Sequence, residues 1–363
     1  MTTGAVALRA LIVGFIITFV VIAGFAYATL FERKVLARMQ HRVGPNRAGY
    51  LPLPRRGGKE RRLLSGFLQP AADAVKLFFK EDVTPARADK FVYTLAPMLS
   101  VISTILILAV IPWTGEITIF GVTFSPYFAI APGLSIAVLF ILAITSIGVY
   151  GVVLAGWASN SKYSVMGGIR ASAQMISYEL AMGLAVVPAI MLANSMDLGE
   201  IVNAQRSMWF VFIQPLAAFI FFVAVLAELE RSPFDLVEAE QELSSGFNVE
   251  YGGMRFGMFF MSEYMKMIIF SAIFAVLFLG GYRGPFVDDL PVLGFIYMFI
   301  KIVFGLFMMI WIRATLPRLR YDRLMQFGWK VLLPLSLANV VITAFFIVLV
   351  EEEVWTPILS SLF

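Results

Sequence analysis

Eight stretches of roughly 20 predominantly apolar residues recur along the chain, and each is long enough to cross a bilayer core of about 30 Å as a helix. In hydrocarbon no water is available to satisfy backbone N–H and C=O groups, so such segments must close their hydrogen bonds internally. The composition agrees: 60% of the 363 residues are hydrophobic and 14% are charged, outside the usual balance of a soluble domain. The expected fold is therefore an all-α, polytopic membrane protein forming a single membrane domain. Its eight spans fall at about Ala7 to Leu30, Phe91 to Ile111, Ile130 to Gly156, Ala171 to Leu192, Trp209 to Leu229, Met254 to Leu279, Leu293 to Trp311 and Leu332 to Val350. The first run exceeds a signal peptide in length and lacks a small-residue cleavage site, so it reads as a retained span.

An even number of spans puts both termini on one side. The segments facing the other side hold 23 of the 28 Lys and Arg, including 14 between Glu32 and Lys90 and five between Arg313 and Lys330. By the positive-inside rule those segments are cytoplasmic and the termini lie outside. The basic excess thus reports topology, and nucleic acid is not an expected partner. Within the long cytoplasmic segment 32–90, Leu68, Ala71, Ala72, Val75, Leu77, Phe78 and Phe79 form a broad apolar face, which predicts an amphipathic helix over about 66–80 on the membrane surface. Before it, Arg55, Arg56, Lys59, Arg61 and Arg62 with Gly57 and Gly58 read as a flexible basic insertion, solvated near anionic headgroups or a partner.

The chain has no cysteine, which excludes disulfides and cysteine-ligated iron–sulfur clusters, and the lone His41 excludes an intrachain bis-histidine haem. No metal site and no nucleotide-cradling glycine motif is expected either. Any redox centre would belong to partners.

The chemistry-bearing residues are acids. Between two spans, AELERSPFDLVEAEQELSSGFNVE sets Glu228, Glu230, Asp235, Glu238, Glu240, Glu242 and Glu250 beside Arg231. On a helix, Asp235, Glu238 and Glu242 share one face, and like charges on one stripe persist when they share protons, line water or face a partner's cations. An ordinary acidic surface loop, spanning 231–255, is the competing reading. Glu179 and Glu263 fall inside apolar runs, where an ionised carboxylate must be paired, protonated or wet. Two arrangements satisfy that: a buried ion-pair network using Lys266 and Lys301, or a hydrated file from the loop acids through Glu228 toward Glu179 and Glu263. Arg313 and Arg318, after the seventh span, have the sign to pair with the acidic loop.

Five stretches together resemble one family: ERKVLARMQHRVGPNRAG, LQPAADAVKLFFKE, GWASNSKYSVMGGIRASAQMISYEL, ERSPFDLVEAEQELSSGFNVEY and IRATLPRLRYDRLMQFGWK. They are similar to the quinone-site membrane subunit of respiratory complex I, and the likeness covers nearly the whole chain. The resemblance implies a subunit of a proton-translocating NADH:quinone oxidoreductase in the bacterial inner membrane, with no catalysis by the isolated chain. Quinone is then the substrate, and FMN and iron–sulfur clusters sit on partner subunits of the peripheral arm. It also implies that Glu32, Arg33, Asp73 and Arg313 lie near the quinone. Glu179, Glu228, Arg231, Asp235, Glu238, Glu240, Glu242 and Glu263 would carry the coupling path.

The chain departs from the family in four places. The stretch from Asn46 to Gln69 is longer and more basic, Val237 replaces a common proline, Glu230 adds an acid, and Ser146 stands where some relatives place one. Donor contacts belong to other polypeptides, so a ferredoxin-, deazaflavin- or hydrogenase-linked complex fits the same sequence. A stand-alone cation transporter is the alternative from another class.

Overall fold

A computed structural model describes residues 3–49, 51–56, 59–63, 66–119, 122–124, 127–235 and 246–351. Among these, helices dominate: α1 (Thr3–Met39), α2 (Gln69–Phe79), α3 (Lys90–Ile107), α4 (Ala137–Ala158), α5 (Lys162–Ala193), α6 (Leu198–Ala204), α7 (Phe210–Ile213), α8 (Pro215–Glu228), α9 (Gly253–Phe278), α10 (Val292–Thr315), α11 (Tyr321–Phe327) and α12 (Leu333–Glu351). A π-helical turn at Gly328–Leu332 joins α11 to α12.

Seven of the expected eight spans are helices long and apolar enough to cross a membrane. The fifth is not one long helix. Pro215 has no N–H to donate and disfavours helical geometry at the residue before it. Gln214 accordingly leaves the helix at φ −126° and ψ 59°, splitting the segment into the short α7 and the 14-residue α8. At about 1.5 Å per residue, α8 covers roughly 21 Å, less than a hydrocarbon core. Gln214 is held where it breaks: its Nε2 donates to Thr343 Oγ1 at 3.0 Å, and its Oε1 accepts from Asn339 at 3.3 Å.

The first span also differs, since α1 continues nine residues past Leu30 and takes Glu32 and Arg33 inside the helix. The surface helix forms as α2 with no buried residue, leaving Val75, Phe78 and Phe79 exposed. The basic insertion is no simple loop: β1 (Leu51–Arg56) and β2 (Lys59–Leu63) pair antiparallel, Leu51 opposite Leu63 and Arg56 opposite Lys59. The intervening Gly57-Gly58 is the dipeptide that two-residue hairpin turns favour. A second ribbon, β3 (Ile117–Ile119) with β4 (Val122–Phe124), follows α3, in a stretch whose β-branched and aromatic residues favour strands.

The core centres on α9, in whose most apolar window 78% of residues are buried, whereas the corresponding figure for α1 is 17%. A helix apolar on every side belongs inside a bundle, and one with Leu11, Phe15 and Phe19 exposed belongs against lipid. One end of the bundle gathers the last turns of α1, α8 and α10, together with α2 and the starts of α3, α5 and α9. It is tied by Leu319 N–H to Pro233 O at 2.9 Å, Asp89 N–H to Ala158 O at 3.3 Å and Tyr93 OH to Glu250 O at 2.6 Å. The other end gathers α6 and the turns at 113–128 and 279–291, tied by Tyr127 OH to Asp197 at 2.5 Å and Thr114 Oγ1 to Pro291 O at 2.7 Å.

Candidate functional site

The acids and arginines singled out in the sequence meet at the first of these ends. Glu32 is 3% exposed, and Arg231 donates to both its oxygens through Nη1, at 3.0 and 3.1 Å. Arg313 Nη1 closes on the same carboxylate from α10. Arg231 also approaches Glu263 on α9, with Nε 2.6 Å from Oε1. That approach is an ionic contact without hydrogen-bond alignment, because Nε has no properly directed acceptor. The guanidinium stacks over the Tyr264 ring at 4.5 Å, which adds cation–π attraction. One arginine thus joins α1 to α9 with its charge buried between two carboxylates. Burial disfavours that charge, but Glu263 and Glu32 outweigh the effect and hold the guanidinium firmly protonated.

Local backbone geometry aims Arg231 at this point. At the end of α8, Arg231 N–H bonds Leu226 O at 3.1 Å and Glu230 N–H bonds Ala227 O at 3.2 Å, the pairing that closes a Schellman motif. The left-handed position of such a cap favours glycine. Here it is Glu230, at φ 52°. The following loop is clamped by Gln174 on α5, whose Nε2 donates to Ala227 O at 2.8 Å and to Phe234 O at 2.9 Å. Gln174 is fully buried, and sequence reasoning misses it; its only signal is a lone amide on an otherwise apolar face of α5.

Asp235 extends the network, accepting from Arg318 Nη2 at 3.0 Å. Burial raises the Asp235 carboxyl above its ordinary range, against the pull of Arg318, Arg313 and Arg231. Three guanidiniums therefore stand against three carboxylates, Glu32, Glu263 and Asp235. Arg33, by contrast, turns outward to Asp73 on α2 at 2.7 Å, and Gln69 bonds the other Asp73 oxygen at 3.1 Å. The four residues implied for the quinone region thus split into two pairs, the buried Glu32 with the half-buried Arg313, and the exposed Arg33 with the half-buried Asp73.

Glu228 is 1% exposed, and among the described residues neither carboxyl oxygen has a hydrogen-bond partner. It lines a cavity of about 50 Å³ with Glu230, Glu263, Lys266, Ser100 and Ser262 among apolar neighbours such as Met175, Phe247 and Phe259. At about 10–15 Å³ per water, this volume holds a few molecules with polar partners in reach. The opposite half of the bundle differs, with a gap of about 10 Å³ between Leu142, Met182, Phe221 and Phe270 that is purely apolar. Glu179 does not line the polar cavity. Its Oε1 accepts from Thr145 at 3.0 Å and from the exposed Ser146 at 2.5 Å, at the edge of the bundle. Lys301, expected as a partner for Glu263, donates instead to the carbonyls of Leu279, Gly281 and Arg283 at 2.6–2.8 Å. Glu238, Glu240 and Glu242 lie outside the described residues.

A family model described as NADH dehydrogenase matches residues 11–344. The chain belongs to that family. Among its curated relatives, the H subunit of the NADH-quinone oxidoreductase of Syntrophotalea carbinolica is 50% identical over 88% of this chain and 90% of its own. A second, one of the H subunits of NADH-quinone oxidoreductase in Geobacter metallireducens, is 47% identical over 92% and 94%. The corresponding protein of Thermomicrobium roseum is 45% identical over the same shares. The family assignment and the apolar helices agree on a multi-pass inner-membrane protein.

Proposed function

We propose that this chain is the quinone-site membrane subunit of a proton-translocating NADH:quinone oxidoreductase, that it builds part of the quinone chamber, and that its buried acids couple quinone reduction to proton movement. The reading rests on one observation: Arg231 touches both Glu32, from the group assigned to the quinone region, and Glu263, which lines one cavity with Glu228. Charge contacts therefore run unbroken from α1 to the bundle interior. Electrons come from clusters on partner subunits, which supply all the redox chemistry. This chain's part is electrostatic. A unit charge appearing roughly 8 Å from a carboxylate, at an effective dielectric near 20, changes its energy by about 2 kcal/mol. That exceeds one pKa unit and is enough to move a proton on or off a group poised between states.

Arg33 and Asp73 complete the quinone side in this reading, and Glu179 carries the path outward through Ser146 to a neighbouring subunit. Asp235, Glu238, Glu240 and Glu242 form the loop between chamber and cavity. The arginine- and lysine-rich end faces the cytoplasm, and α8 with α7 serves as the eighth crossing. In the purified complex, Glu228→Gln and Glu263→Gln are expected to lower quinone reductase activity and proton pumping together while every subunit remains present. Normal coupled turnover in both variants overturns the coupling role. Co-purification with flavin- and cluster-bearing subunits that oxidise NADH tests the assignment to that complex.

A further inference from the structure

The polar cavity contains a charge that the proposed path does not use. Lys266 lies on α9, one turn beyond Glu263, and is 7% exposed. Spacing alone pairs it with Glu263, but the close cation at Glu263 is Arg231. Lys266 lines the cavity together with Glu228, and its positive charge acts on that carboxylate. The two groups carry opposite sign when ionised and share one small space in a bundle interior, where either charge alone is costly.

The surroundings are shaped around the ammonium. A Cβ added to Gly148 on α4 would stand 3.4 Å from Lys266 Nζ, 3.8 Å from its Cε and 3.0 Å from Ser103 Oγ. One added to Gly151 would stand 2.1 Å from Ser100 Oγ. The two glycines leave room for a seam of hydroxyls beside the lysine. Thr104 Oγ1 and Ser262 Oγ lie 2.9 Å apart, Ser262 donates to Ser100 O at 2.9 Å, and Ser103 donates to the same carbonyl at 3.0 Å. Thr104 also donates to Ser100 O at 2.7 Å, so this seam sets polar oxygens between α3 and α9 near the lysine.

We propose that Lys266 and Glu228 form one opposite-charge pair across this cavity, so that Lys266 sets the charge state of Glu228. The inference rests on the reading that Glu228 belongs to the coupling path, and it assigns the residue that tunes it. The groups facing Glu228 are Lys266 and Glu263 from α9, Glu230 from the end of its own helix, and Glu179 from α5. The facing part of α3 brings the hydroxyls of Ser100, Ser103 and Thr104, and that of α4 brings Gly148.

The test is a pH titration of the assembled complex by difference infrared spectroscopy, following the protonated-carboxyl band that Glu228→Gln removes. In Lys266→Met that band is expected to persist to a pH about one unit higher, the size of a lost charge contact at partial burial. Lys266→Arg should restore a midpoint near that of the unsubstituted complex. Lys266→Gln, which removes the charge and keeps a polar end in the cavity, should move the midpoint in the same direction, and it carries the test if Lys266→Met fails to assemble. An unmoved midpoint in Lys266→Met, or in Lys266→Gln where that variant carries the test, overturns the pairing. If Glu228→Gln itself leaves coupled turnover intact, the coupling role fails instead, whatever the titration shows.

Discussion

Replacing Arg231 by leucine removes the one group that contacts carboxylates from both α1 and α9. Glu32 keeps Arg313, but Glu263 loses its 2.6 Å ionic partner, and Glu32 loses two hydrogen bonds. Breaking a buried ion pair by deleting one partner typically costs about 3–5 kcal/mol, mostly from the charge left behind. We expect Arg231→Leu to fall in that range, and the complex to lose this subunit at a lower temperature when heated fractions are separated on native gels. If the cost arises from stranded charge, Glu263→Gln in the same chain should return part of it. The double variant is then less destabilised than the sum of the singles by about 1–3 kcal/mol. Arg231→Lys keeps the charge and loses the fork that reaches two carboxylates, so it should lie between leucine and the unsubstituted chain. Strict additivity of Arg231→Leu and Glu263→Gln would refute the reasoning, because it would mean the two groups do not share an energy term.

Two further outcomes follow from the same end of the bundle. Gln174→Leu leaves the carbonyls of Ala227 and Phe234 without their donor, at about 1–3 kcal/mol for buried unsatisfied groups, and hydrogen exchange at 229–235 should accelerate while that of α9 does not. Asp235, whose carboxyl burial has raised, should titrate above the ordinary 3.8. A raised carboxyl contributes stability that is complete below the unfolded value and is lost as pH climbs through the folded one. Arg318→Leu removes the cation opposing that rise and should shift the Asp235 infrared midpoint further upward; a downward shift would contradict the assigned cause.

Much of the bundle can be read from the sequence because lipid leaves so few options. Long apolar runs become helices, and seven of the eight expected spans are helices of crossing length. The errors cluster where a distant part of the chain overrides a local rule. Glu32 reads as the polar edge of a span beside Arg33 and Lys34, yet its buried partners are Arg231 and Arg313, 199 and 281 positions away, on a helix that runs on to Met39. The basic stretch 51–63 reads as a loop by composition, and its pairing is signalled only by Gly57-Gly58 between segments of matched length. Helical spacing pairs Glu263 with Lys266, whereas the fold delivers Arg231 from the end of another helix. Gln174 shows the same limit, since a single amide has no periodicity to betray the two carbonyls it serves.

The break at Gln214 and the reversal at Glu230 together turn α8 into a ruler. Its start is pinned to α12 through Thr343 and Asn339, and its far end delivers Arg231 to Glu32. Removing one residue between these fixed points would swing the arginine by about 100° and retract it by about 1.5 Å, off both carboxylates at once. Substitution among the apolar residues of α8 is a matter of volume, but their number is not adjustable, and evolutionary drift in this segment should be in letters and never in length.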